Sequence, residues 1–161
     1  MQDLNSKNFE ILLEELNACK EAKVWAQDKS LKEVWATCER GDWMLWLLKI
    51  MLDKPGWINI RQLTLSKARC TKLIILLMKD KRSRNAVNIA EKFGLGNATR
   101  KELNAASAAA NAAADAAYDA AYDDDAYADD AYADAAASAA NAAKKETLKK
   151  CADIIRTTIP F

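Results

Sequence analysis

The chain has 161 residues, 51% of them apolar, with four glycines, two prolines and a formal net charge of +1. That apolar content excludes a disordered chain, and the length suits one domain with its own core. So few turn-forming residues favour an all-α protein, a multi-helix bundle, over a sheet protein.

Helical spacing opens at Ser6, with Phe9, Leu12, Leu13 and Leu16 on one face, and predicts a helix over 6–17. Ala18, Ala22, Trp25 and Ala26 continue the pattern. Ser30 with Glu33 forms a capping box ahead of Leu31, Val34, Trp35 and Cys38. In "RGDWMLWLLKIMLDKPGW", Gly41 is expected to permit a turn and Asp42 to cap. Trp43, Trp46, Leu47 and Ile50 then share a face, and Pro55 with Gly56 stops the helix. A longer helix is expected from Ile58 to Met78, apolar nearly all round and therefore central. A short helix over 83–93 should end at Gly94 and Gly96.

Thr99 with Glu102 is a second capping box. It opens a segment with 23 alanines among residues 105–143, a composition that favours helix even with little packing. The domain then reads as a Trp- and Leu-rich bundle over 1–96 carrying a long Ala-rich C-terminal helix over 97–159. One unbroken helix over 99–157 would be about 90 Å long. A hairpin broken near Asp123, Asp124 and Asp125 is the alternative. Asp115, Asp119, Asp123, Asp130 and Asp134 fall within a sector of about 100° on an unbroken helix, which favours continuity. Tyr127 would point away from Tyr118 and Tyr122, which favours a break. Small side chains suit close helix packing, so the segment is expected to act as a thin strut for the first part.

Charge is unevenly placed. Eight aspartates lie within 105–143 and no Lys or Arg occurs between Glu102 and Lys144, which leaves about +9 on the rest of the chain by difference from +1. Aspartate for steering and tyrosine for contact area make Asp115, Tyr118, Asp119, Tyr122, Asp123, Tyr127, Asp130 and Asp134 the candidate partner-binding face. Inhibitors of nucleic-acid-degrading toxins use such surfaces against a positive substrate site, so the expected partner is a protein with a basic surface. A second reading places a nucleotide signal in a basic pocket at Arg61, Arg69, Lys72 and Lys79. Alanine-rich helices would equally seal a homo-oligomer.

Catalytic signatures are missing. The chain contains no histidine, so Ser-His and Cys-His nucleophile pairs are excluded, and neither GxxxxGK[ST] nor GxGxxG occurs. "DDDAYADD" lacks the glycine and terminal glutamate of a calcium loop. Cys19, Cys38, Cys70 and Cys151 form no CxxC and are expected as buried free thiols, which suits a reducing cytoplasm. No enzyme activity, cofactor or metal is expected. The longest apolar run, "LIILLM", is too short to span a bilayer, and the acidic N-terminal stretch does not read as a secretory signal.

"ACKEA" at 18–22, W-x-x-C-x-R-G-D-W at 35–43, the Ala-rich stretch and A-D-I-x-R-x-x-I-P at 152–160 follow one another in an order that resembles a family of immunity proteins. Its members occur in bacterial polymorphic-toxin loci and in phage genomes. The resemblance covers the chain from about residue 17 and departs from the family in its dense aspartates. It implies a small helical cytoplasmic protein that binds and neutralises a toxin or defence component, with Arg40, Asp42, Trp43, Asp153 and Arg156 as the motif positions.

Overall fold

Local capping sets where most helices begin. Asn5 accepts the Asn8 N–H at 2.9 Å and starts α1 (Ser6–Glu15). Cys19 precedes α2 (Lys20–Ala26) without a side-chain cap. The box of Ser30 and Glu33 starts α3 (Leu31–Thr37), and α4 (Gly41–Ile50) follows. A second box, Asn59 with Gln62, starts α5 (Ile60–Lys72). Asp80 accepts the Arg82 N–H and opens α6 (Lys81–Gly94). Thr99 and Glu102 bond reciprocally ahead of α7 (Arg100–Ala121), and α8 is Asp130–Thr158.

The computed structural model describes residues 4–121 and 130–161, with side-chain surroundings for 4–112 and 143–161. The described residues are helical, with no strand, as the scarcity of glycine and proline predicts. No helix among them is long and apolar enough to cross a membrane. Residues 122–129, on which the choice between one helix and a hairpin turns, lie outside the described part.

Two helix ends differ clearly from the sequence reading. The first helix stops at Glu15 because Asn17 takes a left-handed conformation at φ 52°, which asparagine tolerates better than most residues. Asp28 and Asp53 close two later turns in the same way, at φ 61° and 58°. The expected helix from Ile58 to Met78 ends at Lys72 and passes through a 3₁₀ turn, Ile75–Leu77. The segment is therefore not central throughout: Leu76 and Leu77 are 91% and 79% exposed, and Lys79 falls beyond the helix that carries Arg61, Arg69 and Lys72.

Two apolar clusters share α3 and α4. One joins Trp35, Met44, Leu48 and Leu63 to Cys151, Ala152 and Ile155 of α8 and to Ile159 just beyond it. The other joins Phe9 and Leu13 of α1 to Ala26, Leu31, Val34 and Leu47. α8 packs on α4 and α5, α6 packs on α5, and α7 packs on α6. The C-terminal turns of α8 are thus part of the same core as residues 35–70.

α7 packs closely on α6, as small side chains allow, although its alanines bury little surface. Of the alanines from 105 to 112, Ala106 alone is buried. Alanine offers little area to bury, so the C-terminal segment is anchored by its larger terminal residues, Ile155 and Ile159.

Gly41 is likewise not a turn residue. It is the first residue of α4 and is buried, and a Cβ there would sit 2.5 Å from the Cys151 Cβ and 2.9 Å from the Ala152 backbone nitrogen. Gly94 has the same function in α6, where a Cβ would stand 2.5 Å from the Leu65 Cβ. A helix running at that separation has no room for a side chain. Gly41→Ala is therefore expected to lower unfolding stability by about 1–3 kcal/mol, whereas Ala109→Leu on exposed α7 should leave it within about 0.5 kcal/mol. Urea denaturation followed by circular dichroism checks both.

Candidate functional site: an arginine-braced tryptophan cleft

The motif residues gather where α3 turns into α4 against α8. Arg156 of α8 donates from Nε to the Trp35 carbonyl at 2.8 Å and from Nη2 to the Cys38 carbonyl. A third bond runs from Nη1 to Asp153 Oδ1 at 2.7 Å. One guanidinium therefore satisfies two C-terminal carbonyls of α3, groups that have no acceptor role left within the helix, and places positive charge at the negative end of its dipole. Arg40 makes the second fork. Its Nε and Nη2 donate to the two oxygens of Asp42 at 2.8 and 2.7 Å, and its guanidinium lies 4.3 Å from the Trp43 ring centre. Asp42 is not the N-terminal cap of α4; it sits in the first turn, where the Arg40 hydrogen bond holds its carboxyl below the usual carboxylate range.

Cys38 occupies the centre of this arrangement. Its thiol lies 3.6 Å from the Arg40 carbonyl oxygen, and the Arg40 N–H points at the sulfur from 3.4 Å. Burial pushes the Cys38 thiol up. Burial does the same for Cys151 and lifts Cys70 to about 12. These three thiols are buried, as expected, whereas Cys19 is exposed.

Beside the brace lies a cleft of about 400 Å³ between α1, α2, α3 and α4. Its walls include Trp25, Trp35, Trp43 and Trp46, with Ala22 and Cys19 on the α2 side. Trp25 and Trp43 meet with ring centres 6.1 Å apart at 56°. Lys29 lies 4.5 Å over Trp25 and donates to its carbonyl. Trp35 is 3% exposed, and its Nε1–H has no acceptor among the described residues. Sequence reasoning assigned these tryptophans to the core. The five tryptophans fall between residues 25 and 57, and that clustering was the available signal for an aromatic cleft.

The remaining sequence candidates divide. Asp115, Tyr118 and Asp119 belong to α7, and Asp130 and Asp134 to α8; their side chains lie outside the described residues, as do Tyr122, Asp123 and Tyr127 altogether. The basic set does not form one pocket. Arg61 lies 4.4 Å over the Phe93 ring and donates to its carbonyl, Arg69 donates to Thr158 Oγ1 at 3.0 Å, and Lys72 pairs with Glu91. Each is occupied in joining α5 to a neighbouring helix, and Lys79 is exposed beyond the end of α5. Among the described residues no group of three or more Cys, Asp or Glu is placed to hold a metal ion.

No family model, curated protein or solved structure matches this chain.

Two outcomes follow from the brace. Arg156→Met should cost about 2–3 kcal/mol, because two partly buried carbonyls lose a charged donor; Asp153→Asn, at an exposed ion pair, should cost under about 1 kcal/mol. Chemical denaturation of the two variants checks the contrast. In the folded chain at pH 8, Ellman's reagent should titrate Cys19 rapidly and leave Cys38, Cys70 and Cys151 unreacted until denaturant is added. The raised Cys70 thiol stabilises the fold fully below its unfolded value near 9 and progressively less as pH rises towards about 12, so Cys70→Val should flatten that part of the pH–stability curve.

Proposed function

We propose that the chain is a non-enzymatic binding protein that sequesters a basic protein partner through its Asp/Tyr-rich segment, as an immunity or phage counter-defence factor does. The observation that carries the reading is the charge partition: eight aspartates with no Lys or Arg between Glu102 and Lys144. Seven cations of the described residues, Lys23, Arg40, Lys72, Arg82, Lys149, Lys150 and Arg156, are engaged with carboxylates of the body itself. Asp115 and Asp119 are one turn apart in α7, and Asp130 and Asp134 are one turn apart in α8, a spacing that concentrates negative charge for steering a positive surface.

The motif resemblance supports the same class. In this reading Arg40, Asp42, Trp43, Asp153 and Arg156 hold the bundle together and the acidic segment makes the contact. The absence of histidine from the chain accords with a binding function rather than nucleophilic or general-base catalysis at neutral pH.

Affinity capture from a bacterial lysate, run with the full chain beside its D119K/D123K variant, tests the proposal. The expected result is a basic protein retained by the parent at about 50 mM salt, released near about 500 mM as screening rises, and lost from the variant. Equal capture by parent and variant, at matched helical content, would contradict it.

A further inference from the structure

We propose that the tryptophan cleft binds an uncharged, flat aromatic molecule bearing one hydrogen-bond acceptor. This inference does not depend on the partner proposed for the acidic segment. Its size comes first. A cavity of about 400 Å³ lies within the usual span of small-molecule pockets, about 300–1,000 Å³, and far exceeds a packing defect.

The walls then define the ligand. Aromatic faces favour a flat partner that can stack or meet them edge-on. A cation is disfavoured because the cations already present use the rings: Arg40 covers Trp43 and Lys29 covers Trp25. An anion is disfavoured because Asp42, the ionised side chain in the lining, keeps its charge. Asp42 is also held in a two-pronged bond to Arg40, so it offers little to a positive ligand. The Cys38 thiol, raised by burial, stays protonated and provides no thiolate. What remains unmet is one donor, the Trp35 Nε1–H, on a ring that lines the cleft and is otherwise buried. Buried indole N–H groups ordinarily have a partner, and an acceptor on the ligand would supply it after a small ring adjustment.

Prodan, a neutral naphthalene ketone whose emission reports polarity, is a suitable probe for the full chain. Saturable one-site binding is expected, with blue-shifted emission and slowed reaction of Ellman's reagent with Cys19 at the cleft wall. Ala22→Trp, which fills the cleft from the half-exposed α2 side, should abolish both effects. Trp35→Phe should weaken prodan roughly three- to tenfold and leave 2,6-dimethylnaphthalene, which has no acceptor, unchanged. Should these variants fold poorly, the Trp35 indole N–H resonance of the parent chain decides: a shift at saturation supports the site. An unmoved resonance, no prodan binding up to its solubility limit, or equal binding by a folded Ala22→Trp variant would overturn it.

Discussion

Where α4 begins, its backbone runs so close to α8 that the position can hold only hydrogen as a side chain. The space a Cβ would need at Gly41 is taken by Cys151, the Leu148 carbonyl and the Ala152 nitrogen. That proximity lets Ala152 and Ile155 reach zero exposure between α4 and the residues of α3 and α5. It also places Arg156, one residue beyond Ile155, beneath the C-terminal carbonyls of α3. The apolar seal and the guanidinium brace are two consequences of one approach distance. The cleft lies directly beside them, because Trp35, Cys38, Asp42 and Trp43 line it as well.

The molecule therefore treats its charges in two ways. In the described body, several cations are engaged with a neighbouring carboxylate, carbonyl or ring. Arg61 and Arg100 both lie over Phe93, and Lys149 pairs with Glu39 across the α3–α8 boundary. Exposed pairs of this type add little stability individually; their use here is to fix orientation. The stretch from 103 to 143 has no such cations of its own in sequence. A folded body that carries the chain's excess of basic residues, joined to a segment whose eight aspartates have no Lys or Arg among them in sequence, is a charge-separated arrangement suited to attracting a positive partner.

Much of this was legible from short-range chemistry. The Ser30–Glu33 and Thr99–Glu102 boxes place their helices correctly because a cap needs only four consecutive residues. The apolar spacing around Phe9, Trp35 and Leu47 identified core positions for the same reason. Gly41 was misread as a turn glycine because its meaning depends on Cys151, and the close packing of Gly94, correctly placed at a helix end, depends on Leu65; both partners are distant in sequence. The 3₁₀ turn at Ile75–Leu77 escaped notice because six consecutive apolar residues resemble a buried helix whichever way the chain goes next. The basic pocket expected at Arg61, Arg69, Lys72 and Lys79 does not assemble because the partners of the first three lie on α6 and α8 and could not be inferred from α5 alone. The tryptophan cleft needed four helices to be assembled before its empty volume existed at all.

Native-state hydrogen exchange gives the most direct measure of whether the α4–α8 contact governs the fold. Amides of Leu48 in α4, Val34 in α3 and Ile155 in α8 should exchange only through global opening, with one shared free energy and one shared denaturant dependence. Amides at the exposed positions Ala108 and Ala109 of α7 should open at lower cost. Exchange of the α8 C-terminal amides through a separate, cheaper opening, with α3 and α4 still protected, would contradict the account.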